Sequence, residues 1–370
     1  MITGFSKEKQ VIKVLYLSSC HPVLETDDLG LLSRIGVQWF STGICRDPSN
    51  PPREEHLLLR GTVSPPNPID PKLHDMFNKL NPGYQQKYRG LEIPSPKLSK
   101  EFVDQFDVVM VVQIRTMKDN WDVLKHKPII LKTCGNTYNQ EAELEKYARA
   151  GNIEFVRGSK NEFKMKDSNG GRVIRISCDP DLYSGWTGED PTLLSFHSHF
   201  MARRKFPPVK EYLKIHPHFN TRLYGAFPKG YKDPLIIDTL SWKEQIDQFK
   251  KCAVYFMISS GRAPITYNFI EAFMMGIPVV TFGPKISSSV SVQMGFPALC
   301  EIPEIIKNEV DGFFSDDSEQ LKKYVSSLMN DEELRKSIST NARKKALEMF
   351  SPENSAQDWK KLFIDMGFSL

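Results

Sequence analysis

The 370-residue chain reads as an α/β protein of two doubly wound domains, each a parallel sheet with helices on both faces. Three observations predict this. Short runs rich in Val, Ile and Phe alternate with helix-length amphipathic segments, twice over along the chain. The turn-rich run DPDLYSGWTGEDP, residues 179–191, separates the two alternations. The length exceeds what one ordinary core holds and suits two.

In the first half VIKVLYLSS (11–19) is a strand, DDLGLLSRIG (27–36) a helix and VQWFSTGI (37–44) a second strand. From about Arg46 to Pro96 the chain is rich in Pro and turn residues, with a short amphipathic piece around Leu73 to Leu80. This segment reads as an insertion rather than a domain, and a connection this long is usually functional or mobile. A solvated surface loop is the other reading. FDVVMVVQ (106–113), KPIILKTCG (127–135), NIEFVRG (152–158) and RVIRISCD (172–179) are apolar runs bounded by turn residues, as buried parallel strands should be.

The second alternation comprises TLLSFHS (192–198), the helix VKEYLKIH (209–216), TRLYGAF (221–227), the helix SWKEQIDQFKKC (241–252) and AVYFMIS (253–259). Two closing helices follow at 319–331 and 331–350. In the second of these Leu334, Ile338, Ala342, Ala346 and Phe350 fall on one face. The expected division is 1–186, 187–350 and a final segment, 351–370.

Composition restricts the function classes. With 40% hydrophobic and 25% charged residues the chain resembles a soluble enzyme, and no apolar run approaches the ~20 residues of a membrane span. The polar start MITGFSKEKQ does not read as a signal peptide, so a cytoplasmic location is expected. The six cysteines, Cys20, Cys45, Cys134, Cys178, Cys252 and Cys300, have no metal-ligand spacing and read as reduced, mostly buried thiols. A net charge of +4 permits an anionic partner without arguing for one.

The most informative stretch is PITYNFIEAFMMGIPVVTFGP (264–284). Thr266 is placed to cap a helix, Phe269, Ile270 and Phe273 form its buried face, Gly276 ends it, and VVTF is a buried strand. A helix start offers backbone N–H groups to a phosphate. Glu271 lies one turn beyond Tyr267 on the same face, where a carboxylate accepts hydrogen bonds from sugar hydroxyls; the competing reading is a solvent-facing or capping carboxylate.

This stretch resembles the donor-sugar motif of the retaining GT-B glycosyltransferases of the family 4-like, or group 1, type. That motif has a glutamate, seven residues, a second glutamate, then Ala-Met, a Gly-x-Pro turn and a Val-Val strand. Glu271 takes the second glutamate's place and Ala263 the first's. The resemblance extends in order over residues 192–363, through LYGAFP, EIIKNEVDGFFSDD and the closing helices. It implies a GT-B fold, two Rossmann-like domains facing across a cleft, with 351–370 crossing back to the first domain and the 46–96 insertion expected to lie over the acceptor side of that cleft and to order when substrate binds. It also implies transfer of a sugar, with retention and without a metal or other cofactor, from a nucleotide-sugar such as a UDP-sugar. In the family the second glutamate contacts the ribose and the first contacts the sugar, so Ala263 leaves the sugar open.

The resemblance also places a diphosphate against HFMARRKF (199–206), with Lys205 at the family's lysine and His199 near its usual arginine. Donor contacts are therefore expected from His199, Arg203, Arg204, Lys205, Thr266, Tyr267, Asn268 and Glu271; a solvated basic loop is the alternative for 203–205. Glu304 is a further candidate, against a plain helix-start carboxylate. In the first half His21, in SSCHP after the first strand, and Asn136, after KPIILKTC, are the candidate catalytic contacts, against surface or core placement. The acceptor stays open among glycan, protein, lipid, small molecule and a modified DNA base. So do two rivals, a GT-B epimerase or phosphorylase and a noncatalytic nucleotide-sugar binder. Trp186, Trp242 and Trp359 read as core or interdomain packing.

Overall fold

The computed structural model describes residues 11–18, 22–43, 70–84, 95–112, 114–133, 138–150, 152–197, 200, 203–225, 234–259 and 263–370. Two parallel sheets organise it. The first has the order β2-β1-β3-β4-β5-β6, from β1 (Lys13–Leu17), β2 (Gln38–Ser41), β3 (Val108–Val111), β4 (Ile129–Lys132), β5 (Ile153–Arg157) and β6 (Arg172–Val173). The second has the order β11-β10-β9-β7-β8, from β7 (Asp190–Phe196), β8 (Thr221–Tyr224), β9 (Cys252–Met257), β10 (Val279–Phe282) and β11 (Phe313–Ser315).

Each central strand is buried along its length, as a parallel strand covered on both faces must be. In β9 the two-residue period sends Tyr255 and Met257 into one core and Val254 and Phe256 into the other. Helix α1 (Pro22–Arg34) begins earlier than the apolar spacing predicts, because Glu25, Thr26, Asp27 and Asp28 are buried and belong to it.

Part of the Pro-rich segment joins the first core. Helix α2 (Pro71–Leu80) starts on Asp70, whose carboxylate accepts the Lys72 N–H at 2.9 Å, and it buries Phe77 against Phe40 and Phe102 at 5.5 and 5.8 Å between ring centroids. Asn81 then ties the helix to the chain beyond, exchanging hydrogen bonds with Lys97 of 2.7 and 2.9 Å. The middle of the expected 46–96 insertion is thus core structure; its residues 46–69 and 85–94 lie outside the described residues.

The strand expected at 172–179 is another correction. Only Arg172 and Val173 pair, at the sheet edge, because Arg175 and Ser177 turn their side chains to Glu301 and Asp27. Beyond, Trp186 donates to Cys252 O at 2.7 Å. Trp186 and Trp242 lie against one core of the second sheet.

In the second half, α3 (Pro207–Ile215), α4 (Trp242–Lys251), α5 (Tyr267–Met275), α6 (Ser318–Asn330) and α7 (Glu332–Phe350) cover the second sheet. In α7 Ile338, Ala342, Ala346 and Phe350 are buried, and Leu334 is partly so. The last helix, α8 (Pro352–Asp365), leaves this sheet and buries Ala356, Trp359, Leu362 and Phe363 in the first core, against α1. Cys178, Cys252 and Cys300 are buried; Cys20, Cys45 and Cys134 lie outside the described residues. No helix among the described residues is long and apolar enough to cross a membrane.

Candidate functional site

The order of the second sheet reverses between β7 and β9, which pair directly through Leu193↔Val254 and Leu194↔Tyr255. At such a switch point the flanking connections leave toward opposite faces and open a crevice at the carboxyl ends of the strands. Of the stretches the sequence singled out, 203–206 of HFMARRKF follow β7 and the start of 264–284 follows β9.

The loop after β9 leads into α5. Thr266 takes the cap position with extended backbone (φ −125°, ψ 149°), yet its hydroxyl makes no capping bond and lies 3.7 Å from Met257 Sδ. The expected side-chain cap is therefore absent. At the other end Gly276 stops the helix as expected. Its φ of 80° is left-handed, and an added Cβ would also stand 3.0 Å from Ser339 Oγ.

Glu271 is buried, 8% exposed, which removes the solvent-facing reading. Its Oε1 accepts a 2.9 Å hydrogen bond from the hydroxyl of Tyr183, itself buried in the segment between the sheets. Tyr183 is held in turn by its N–H to Asp179 O at 3.1 Å and by Arg343, whose guanidinium bonds the carbonyls of Tyr183, Met274 and Pro180. Burial first, and then the Glu271 carboxylate, push the Tyr255 hydroxyl well above its usual range, while a hydrogen bond from Asn268 opposes them. Glu271, Asn268, Tyr255 and Tyr183 thus form one polar group inside the start of α5.

The loop after β7 is anchored by His197 and Phe200, whose rings meet edge to face at 5.8 Å. His197 N–H donates to Tyr224 O at 2.9 Å. Gly225 follows Tyr224, and a Cβ there would lie 2.3 Å from His197 O, so only glycine lets the two strand ends close together. Arg203, half-buried, sits in a tight turn leading to Pro207 at the start of α3. Arg204 and Lys205 are exposed there. His199, His21 and Asn136 lie outside the described residues.

Glu304 accepts from Asn161 Nδ2 at 3.1 Å and Lys164 Nζ at 2.7 Å, both in the turn after β5, so it links its loop to the first sheet's side. The neighbouring Glu301 is more deeply placed. Burial pushes its carboxyl up, but hydrogen bonds from Arg175 and Ser159 and the charge of Arg175 outweigh that and hold it below its usual value.

The first sheet carries its own buried polar groups near the carboxyl ends of its strands. Glu25 accepts from the hydroxyls of Ser18 and Ser41, after β1 and on β2. Asp28 pairs with Lys132 and accepts from Tyr16 at 2.9 Å, with the Lys132 ammonium 5.9 Å from the Trp359 ring. Burial pushes Asp28 up to about 6, against the pull of Lys132.

Tyr183, Glu301, Arg175 and Ser159 were not legible as site residues. Each sits in an irregular segment without periodicity, and the partners are far apart in sequence. A buried-length aromatic inside a turn-rich linker was the sole signal for Tyr183.

No protein-family model matches the chain, and no curated protein matches it in sequence. Solved structures do share its shape. HepE of Anabaena, in complex with UDP and glucose, aligns with a TM-score of 0.62 at 12% identity, over 96% of this chain and 100% of that one. A glycosyltransferase from Rickettsia africae aligns at 0.60 and 12%, over 96% and 98%. AviGT4, a glycosyltransferase involved in avilamycin A biosynthesis, aligns at 0.54 and 13%, over 96% and 98%. Together with the two parallel sheets, these likenesses establish an α/β GT-B fold.

Proposed function

We propose that this protein is a glycosyltransferase that moves a sugar from a nucleotide-sugar, UDP-linked, to an acceptor hydroxyl. The observation that carries the reading is that a basic turn (Arg203, Arg204, Lys205) follows β7 while a helix start backed by the buried Glu271 follows β9, the two adjacent strands at the switch point of the second sheet. Cations and helix N–H groups suit a diphosphate, and an anchored carboxylate suits a ribose. HepE, of the same fold, has been solved with UDP-glucose.

In this reading Lys205 and Arg204 stabilise the charge that develops on the departing diphosphate, and Glu271 orients the nucleoside. Thr266, Tyr267 and Asn268 present the start of α5 to the phosphates. Retention of configuration and a reaction without a metal belong to the same reading and rest on the motif. The first domain holds the acceptor, a glycan being favoured and a modified DNA base the lesser option; His21 and Asn136 are proposed as its contacts.

Ala263, where the motif has a glutamate beside the sugar, keeps a second reading open, a GT-B epimerase or phosphorylase. Incubation with a panel of nucleotide-sugars separates the two. Sugar transferred to an added acceptor supports the first reading and an epimerised or phosphorolysed donor the second, while absence of nucleotide binding by calorimetry refutes both.

A further inference from the structure

Glu301 joins two parts of the molecule through different groups. Its side chain, 5% exposed, accepts from Ser159 Oγ at 2.6 Å and from the two terminal nitrogens of Arg175 at 3.1 and 2.6 Å. Ser159 follows β5 and Arg175 follows β6, so both belong to the first sheet's side. Its main-chain N–H donates to Pro264 O at 2.7 Å, inside the loop that leads from β9 to α5. The preceding residue, Cys300, has its sulfur 3.8 Å from Ser259 Oγ at the end of β9. The bridge to the first sheet and the anchor of the 263–266 loop are thus one residue.

We propose that Glu301 is a positioning residue, fixing the 263–266 loop relative to the first sheet so that a donor sugar and an acceptor held on opposite sides meet in reacting geometry. This rests on the reading of α5 and its loop as the donor site. A buried carboxylate gripped by two guanidinium nitrogens and a hydroxyl has one geometry, whereas the parallel link through Glu304 is half-exposed and holds loosely. Group transfer between two bound partners is sensitive to displacements of about 1 Å, so a loosened loop slows transfer. The nucleotide end is anchored independently, because Glu271 is held by Tyr183 and Tyr183 by Arg343.

The test uses the full-length protein with UDP and the UDP-sugar that the panel identifies. Glu301→Gln keeps the shape and removes the charge, Arg175→Met removes the partner, and Arg175→Lys keeps a cation. For each, UDP affinity by calorimetry, kcat, KM and melting temperature are measured. The expected result is a fall in kcat of at least tenfold for Glu301→Gln and Arg175→Met, with UDP Kd within threefold of wild type. Partial recovery is expected in Arg175→Lys, and the double variant should be no slower than Glu301→Gln alone. Unchanged kcat, or losses of kcat and UDP affinity that track the melting temperature, overturn the proposal and leave the donor site standing. Wild-type protein that binds no UDP overturns the proposed function and this inference with it. If Glu301→Gln does not fold, Arg175→Met and Arg175→Lys carry the same comparison.

Discussion

Replacing Glu271 by alanine separates a donor contact from a folding contact only if Tyr183→Phe is measured beside it. The carboxylate is buried and receives the Tyr183 hydroxyl at 2.9 Å, so Glu271→Ala removes two things together, any bond to a ribose and the acceptor of a buried phenol. Tyr183→Phe removes the donor hydroxyl alone and leaves the carboxylate in place. A hydrogen bond to a charged group is worth about 1.5 to 3 kcal/mol, and a buried group that loses its partner costs ~1 to 3 kcal/mol. Urea unfolding should therefore show both variants destabilised by ~1 to 3 kcal/mol. Loss of the ribose contact adds a penalty of similar size in binding, roughly 5- to 150-fold in Kd. Calorimetric titration with UDP should show that weakening in Glu271→Ala, with Tyr183→Phe within about fivefold of wild type. If Glu271→Ala loses stability but binds UDP as wild type does, the carboxylate serves to seat α5 against the linker, and the ribose assignment fails.

Four further outcomes are expected. Arg204→Ala with Lys205→Ala should weaken UDP binding and flatten its dependence on ionic strength, because both cations are exposed at the loop after β7; an unchanged Kd removes that loop from the site. Gly225→Ala should destabilise the protein by about 1 to 3 kcal/mol or more and disturb the loop after His197, since its Cβ would press on a backbone oxygen at 2.3 Å; a wild-type melting temperature would contradict the close approach. Phe77→Ala should cost ~3 to 5 kcal/mol, and a cost near zero would return α2 to the surface. Asp28 titrates at about 6 in the fold against 3.8 ordinarily, so the folded state holds its proton more tightly. Its contribution is then fullest below pH 4 and declines as pH rises to 6, by about 3 kcal/mol at most. Wild type minus Asp28→Asn in unfolding free energy, followed from pH 4 to 6.5, should show that decline, and parallel curves would refute it.

The sequence by itself determined the two alternations of strand and helix, since a strand covered on both faces must be a short apolar run and its covering helices must repeat at their own period. It also determined α5 with its glycine stop and the position of Glu271 one turn into it, because helix spacing and the left-handed stop are written in neighbouring residues. The tertiary structure decided what Glu271 faces. Its partner Tyr183 lies 88 positions earlier, in a linker with no period to read. It likewise decided that Arg175 and Ser177 leave the expected strand, since their partners Glu301 and Asp27 are 126 and 150 positions away. And it placed α2 in the core, where Phe77 finds Phe40 and Phe102. Local pattern encodes which face of an element is apolar; which distant group meets a given polar side chain depends on how the chain closes on itself, and that is settled only when both cores form.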